Sequence, residues 1–203
     1  MKPQFWQLPA PDANALARLP QKTTDLAQRL QHIAERFPQA VFASSLAAED
    51  MIITDQIAKL QLPIQIITLN TGLLNPETEA LIAATRQHYP VIQLQVFQPQ
   101  AEEAAQFVQQ HGSAAMYESI ALRKRCCFIR KIEPLNRALA HATAWLTGQR
   151  RSQSVTRQEL LLEEHDDARN IAKFNPIFDW EDDDVWAYVQ QHQVPMNALY
   201  QQG

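Results

Sequence analysis

Cysteine is nearly absent from this chain: two residues in 203, and those two are neighbours, Cys126 and Cys127. Adjacent cysteines rarely bridge to each other, which argues against a disulfide framework and leaves the thiols in need of another use. Basic charge is not in excess either. Eighteen Lys and Arg against 22 Asp and Glu give a formal net charge of -4, which argues against a general nucleic-acid binder while leaving room for a local basic site for a small anion. No apolar run approaches the length of a membrane span, so no membrane partner is expected. Met1 to Ala10 lack the basic start and apolar core of a secretory signal, and the expected address is cytoplasmic. What is present, 46% hydrophobic and 20% charged residues, is the balance of a globular chain long enough for one domain with its own core.

Residues 1–22 carry Pro3, Pro9, Pro11 and Pro20 with little periodicity and read as an N-terminal arm, leaving 23–203 as the domain. Thr24-Asp25 can cap a helix with apolar positions Leu26, Leu30, Ile33, Ala34 and Phe37. Strands are expected at Val41–Ala43, Ile64–Leu69, Val91–Phe97 and Thr143–Thr147. Helices are expected over Glu49–Leu60, Pro76–His88, Ala101–Gln110 and Leu122–Ala140, the last containing the cysteine pair. This alternation predicts an α/β fold, a parallel sheet covered by helices on both faces. The acidic stretch Glu159–Asn170 reads as a surface ribbon or loop, and Asp179 as the cap of a final helix ending near His192. Ligands of such sheets bind at the carboxyl ends of the strands. The polar turns Ser44–Ala48, Asn70–Gly72 and Gly148–Ser154 all follow strands, so they should gather at that edge.

Each turn has a functional and a bland reading. Ser44-Ser45-Leu46-Ala47-Ala48-Glu49-Asp50 offers hydroxyls and N–H groups at a helix start, which suits an anion. Alanine stands where a phosphate loop commonly uses glycine, so a plain helix cap is favoured for that segment taken alone. Leu69-Asn70-Thr71-Gly72 is equally well a simple turn. Gly148-Gln149-Arg150-Arg151-Ser152-Gln153-Ser154 places two arginines among hydroxyl and amide neighbours, which suits phosphate or sulfate oxygens better than it suits a solvated charge cluster. The strongest local signal is Arg123-Lys124-Arg125-Cys126-Cys127-Phe128-Ile129-Arg130-Lys131, where cations beside two thiols favour the metal-binding thiolate form. On a helix Arg130 shares a face with Cys126, and Lys131 with Cys127. The alternative is a pair of small core cysteines on a basic helix. Two thiols alone do not complete a site that takes four ligands.

Taken in order, these four segments, with Pro76-Glu77-Thr78, Pro134-Leu135, Phe174-Asn175-Pro176, Asp184-Val185-Trp186 and the closing Leu199-Tyr200-Gln201-Gln202-Gly203, resemble the reductases of adenylyl sulfate and 3'-phosphoadenylyl sulfate. The resemblance runs from about residue 40 to the end. It implies a parallel five-stranded α/β sheet with helices on both faces, of the adenine nucleotide alpha-hydrolase type. It implies a nucleotide cradled by Ser44, Ser45, Glu49, Asp50, Leu69, Asn70, Thr71 and Gly72 from the first two turns, and by Gly148, Arg150, Arg151, Gln153 and Ser154 from the third. Lys131, Arg150 and Arg151 would face the phosphate and sulfate, Lys131 also giving electrostatic support between substrate and metal site. The adjacent pair Cys126-Cys127 is similar to the variant of the family that holds a 4Fe-4S cluster and takes adenylyl sulfate.

The reaction implied is reduction of adenylyl sulfate to sulfite and AMP, in sulfate assimilation and cysteine biosynthesis, with thioredoxin or glutaredoxin as donor. In the family a C-terminal cysteine attacks the sulfate sulfur, and a Cys-x-x-Cys segment completes the cluster. Both are expected beyond Gly203, so the chain supplies two of the four ligands, no nucleophile, and is expected to be catalytically incomplete. The alternatives are a nucleotide-binding module of the same fold without redox activity, a phosphoadenylyl-sulfate reductase, or an ATP-pyrophosphatase relative, which the glycine-poor Ser44 turn fits poorly. A homo-oligomer is left open.

Overall fold

A computed structural model of the chain describes residues 10–201. Residues 1–9 of the expected arm, and Gln202 and Gly203 of the closing motif, lie outside the described residues. The chain runs α1 (Ala13–Arg36), β1 (Ala40–Ala43), α2 (Ala48–Leu60), β2 (Gln65–Leu69), α3 (Pro76–His88), β3 (Leu94–Phe97) and α4 (Ala101–His111). It continues through α5 (Ile120–Cys127), a π-helical turn (Phe128–Ile132), α6 (Glu133–Ala138), β4 (Ala144–Leu146), β5 (Glu163–Asp166), β6 (Ile171–Phe174) and α7 (Asp182–His192).

The strands form one sheet in the order β3-β2-β1-β4-β6-β5. The pairs β3–β2, β2–β1, β1–β4 and β4–β6 are parallel, and β5 is antiparallel to β6. The expected five parallel strands are therefore there, and a sixth, antiparallel strand closes one edge. That strand lies in the acidic stretch expected to be a ribbon or loop, where Glu163-Glu164-His165-Asp166 gives no apolar signal. As an edge strand it needs none, having one paired side only.

Alternation along the strands sorts side chains between two faces. Ala40, Phe42, Ile66, Leu94, Ala144, Leu146 and Phe174 join α1, α2, α3 and α7 in the main core. Val41, Ile67 and Leu139 form a smaller one on the opposite face, against Leu135 and Ala138 of α6 and Trp145 of β4. Helices cover both faces, unequally. A third cluster, Phe107, Ala115, Cys126 and Ile129, joins α4 to α5.

Four expected boundaries moved. β3 starts at Leu94 and not at Val91, which is exposed in the turn before it. The first helix begins at Ala13 rather than at Thr24-Asp25, because Asp12 caps it by accepting from the Ala15 N–H at 3.0 Å. It continues through Pro20, an interior position where the missing N–H removes one ladder bond, a cost outweighed by the burial of Ala15 and Leu19 on the core. Asp179 does not cap α7; Glu181 does, in a reciprocal capping box with Asp184. Asp179 instead holds Arg29 of α1 through paired oxygens at 2.7 and 3.0 Å. The expected helix Leu122–Ala140 is α5, the π-helical turn and α6, the turn falling directly after the cysteines.

Candidate functional site

Because β2, β1 and β4 are parallel neighbours, the turns after them leave from the same edge of the sheet. Contacts between turns follow. The Ser44 and Gly148 turns are joined by the first two acids of α2. Asp50 is 5% exposed, and its Oδ2 accepts from the Ser45 N–H at 2.5 Å and the Ser45 hydroxyl at 2.6 Å. The Gly148 backbone donates to the same carboxylate. Glu49 Oε1 accepts from Gln153 Nε2 at 2.6 Å. Burial pushes the Asp50 carboxyl up to about 6, with the charge of Glu49 adding to the rise and the Ser45 and Gly148 bonds opposing it.

The N–H groups expected to be open in the Ser44 turn have acceptors. Leu46 N–H donates to Ser44 Oγ at 3.1 Å, Ala47 N–H to Ser45 Oγ at 3.4 Å, and Ala48 N–H to the Tyr200 hydroxyl at 3.2 Å. Tyr200 is the most distant of these partners in sequence. It sits against Trp186 of α7, with ring centroids 5.2 Å apart, and its segment is tied to α3 by Asn197 Nδ2 donating to Thr78 Oγ1 at 2.9 Å. Sequence reasoning quoted Leu199-Tyr200 only as part of a resemblance, and no periodicity marks the hydroxyl as a helix cap.

The second turn closes on its own side chains: Gly72 N–H donates to Asn70 Oδ1 at 2.9 Å and Leu73 N–H to Thr71 Oγ1 at 3.2 Å. Gly72 has φ 72°, the left-handed region that favours glycine. Leu69 ends β2 half-buried, and Asn70 N–H pairs with Phe97 O at 2.9 Å. This turn meets the cysteine helix rather than the other two: Arg130 Nη1 donates to Thr71 O at 2.7 Å. Thr71, Leu73, Leu74, Met116, Arg123, Cys126, Cys127, Arg130 and Lys131 line one cleft of about 480 Å³. Cys126 is buried in its small apolar cluster, Cys127 is half-buried, and Lys131 is exposed. Among the described residues no group of three or more His, Cys, Asp or Glu side chains is placed to hold a metal.

In the third turn the two arginines have protein partners. Arg150, 5% exposed, donates to Ser152 Oγ at 2.8 Å and pairs with Asp182 Oδ1 at 2.8 Å. Arg151 Nε donates to Leu160 O at 2.8 Å, and its guanidinium lies 4.6 Å from the Phe178 ring centroid. Arg157 bonds Gln153, and Ser154 ends the helical turn Arg151–Gln153 in extended backbone. Asn175, fully buried, supports this turn from β6: it accepts from the Thr147 hydroxyl at 2.7 Å and donates to Glu164 at 2.9 Å. Arg130 and Asn175 were visible in the sequence as a basic neighbour and an Asn-Pro step; their long-range partners were not.

A profile of the phosphoadenosine phosphosulfate reductase domain matches residues 39–203. An adenosine 5'-phosphosulfate reductase of Neisseria meningitidis serogroup A is 52% identical over 202 residues, covering all of this chain and 83% of its own length. One from Burkholderia cepacia is 50% identical over 194 residues, 94% of this chain and 77% of the relative. Among solved structures, a phosphoadenylyl-sulfate reductase of Candida auris in phosphate complex superposes with a TM-score of 0.74 at 24% identity, covering 94% of this chain and 92% of that one. That likeness shows a shared fold, and the sheet has the five parallel strands expected, with one more strand at its edge.

Proposed function

This chain belongs to the phosphoadenosine phosphosulfate reductase family, and we propose that its substrate within that family is adenylyl sulfate, reduced to sulfite and AMP with two electrons from a dithiol protein such as thioredoxin or glutaredoxin. It is an oxidoreductase acting on a sulfur group; the relatives that share half its residues carry the adenosine 5'-phosphosulfate name. The observation that carries the reading is the cleft in which Cys126, Cys127, Arg123, Arg130 and Lys131 face the second nucleotide turn. A sulfate-bearing nucleotide seated across the turns would bring its anionic end toward cations there, and Lys131 and Arg123 are exposed on it.

The same residues fit half of a 4Fe-4S cluster. Two thiols open onto one cleft, with an excess of cations to offset the cluster's negative charge. Cys126 and Cys127 would be two ligands, and the other two are not among the described residues. When bound, the cluster would supply a compact anionic group beside the substrate, and Lys131 would balance both charges. Arg150 would reach a substrate only by leaving Asp182, whereas Arg151 is exposed and binds Leu160 through Nε alone, so the first cationic contacts fall to Lys131, Arg123 and Arg151.

The test is direct. With adenylyl sulfate and reduced thioredoxin, the protein carrying the C-terminal cysteine segment expected beyond Gly203 should release sulfite and AMP, with 3'-phosphoadenylyl sulfate as the poorer substrate, whereas the 203 residues alone should bind adenylyl sulfate and release no sulfite. Nucleotide binding without sulfite by the protein that carries that segment would favour the non-redox module. Cytoplasmic placement and a role in cysteine biosynthesis complete the reading; no described helix is long and apolar enough to cross a membrane.

A further inference from the structure

We propose that Glu49 and Asp50 are positioning residues, a carboxylate clamp that sets the spacing between the Ser44 turn and the Gly148 turn instead of touching the nucleotide. The proposal rests on the reading of these turns as the nucleotide pocket. Four observations support it. Asp50 is 5% exposed and receives Ser45 twice from one turn and the Gly148 backbone from the other. Glu49 makes a second bond across the same gap, to Gln153 at 2.6 Å. Two carboxylates in contact with a phosphosulfate would repel it, whereas carboxylates that accept from protein donors, as Asp50 does and as Glu49 does through Oε1, act through the segments they hold.

The fourth observation is Gly148 itself. It is not among the positive-φ glycines, which are Gly72 and Gly112, so its backbone does not call for glycine. Space does: a Cβ there would lie 1.8 Å from Asp50 Oδ1, 3.0 Å from Asp50 Cγ and 3.3 Å from Glu49 Cγ. The glycine and the aspartate are one device, each shaped by the other, joining the ends of the adjacent strands β1 and β4.

A double-mutant cycle reads this device. Adenylyl sulfate binding is measured by calorimetry without reductant, for wild type, Gly148→Ala, Asp50→Ala and the double variant. Each single change should weaken binding about tenfold or more, the scale of one charge-assisted bond. The double variant should bind no more weakly than the worse single, because removing the carboxylate makes room for the methyl. Losses that multiply would overturn the clamp.

A pH series separates positioning from plain stability. The ionisable groups facing Asp50 are Glu49 on its own helix and the Tyr200 hydroxyl on the C-terminal segment, and the third turn presents neutral Gly148 and Gln153. With the Asp50 carboxyl at about 6, wild-type affinity should fall on acidification through that value while stability rises. Asp50→Asn should flatten both. Affinity that is unchanged through the same range, or that falls equally in Asp50→Asn, would overturn the proposal. If wild type bound no adenylyl sulfate, the functional reading would fail, while the same cycle read in melting midpoints would still decide the clamp.

Discussion

In the Ser44 and Gly148 turns most donors already have acceptors inside the chain, from Ser45 on Asp50 to Ala48 on Tyr200, the buried Arg150 Nε excepted, whereas Cys127, Arg123 and Lys131 face a cleft of about 480 Å³. One region is finished by its own hydrogen bonds, with a buried charge at its centre. The other gathers thiols and positive charge around open space. Burying Asp50 costs free energy that its three donors offset only in part, which is why its carboxyl sits at about 6; the cleft carries its charge in contact with water at little cost. On the proposed reading the first region supplies geometry and the second chemistry.

The comparison breaks most visibly at the cysteines. If the proposed cluster is held, Cys126→Ser should remove the iron and the visible absorbance of the protein that carries all four ligands, whereas Asp50→Asn should leave both in place; iron content measured in the two variants checks it. Next in size is the pH response of the clamp. Because the Asp50 carboxyl sits at about 6 in the folded chain against 3.8 for the free group, the folded state holds its proton more firmly. Its contribution is full below about pH 4 and is lost as pH rises through about 6, a difference of about 3 kcal/mol. Denaturant unfolding across that range should show the slope in wild type and lose it in Asp50→Asn.

Lys131→Ala should do the reverse. It should weaken adenylyl sulfate binding by about 1.5 to 3 kcal/mol, the scale of a charged hydrogen bond, and shift unfolding by less than about 0.5 kcal/mol, as exposed substitutions do. Calorimetry and unfolding on the same sample separate the two effects. The smallest change is Tyr200→Phe, which removes the acceptor of the Ala48 N–H but keeps the ring on Trp186. A loss of about 1 kcal/mol in stability is expected, and a loss above about 3 kcal/mol would give Tyr200 a larger role than a cap.

Strands β1, β2 and β4 were legible because they are buried runs such as Val41-Phe42-Ala43 and Ile66-Ile67, β3 by its apolar Leu94, Val96 and Phe97, and the three polar turns were legible because they interrupt the runs of β1, β2 and β4. β5 was not, since a charged edge strand is shaped by its partner β6 and not by burial. The first turns of α1 were hidden by Pro20, which tertiary packing of Ala15 and Leu19 overrides. In the site, the cysteine face was readable from helical spacing, and Cys126, Cys127, Arg130 and Lys131 line one cleft. The engagement of Arg150 by Asp182 and of Arg151 by Leu160 was not readable. Both partners lie beyond the turn in sequence and reach it only through the fold.

The π-helical turn Phe128–Ile132 has a consequence for deletions. A π turn is an α-helix carrying one residue more than its pitch accommodates. Removing one residue within it would let the helix run straight with the flanking turns still in register, because the wide turn is what absorbs the surplus residue. Leu135 and Ala138 would keep the sheet face they cover, and Arg123, Cys126 and Cys127 upstream would keep their places. A deletion in the regular turns of α5 or α6 would instead rotate everything downstream by about 100°, the angle between successive α-helical residues, so of the segments bearing on the cleft this is where a single-residue deletion should be best tolerated, although its own sequence, Phe-Ile-Arg-Lys-Ile, looks like ordinary helix.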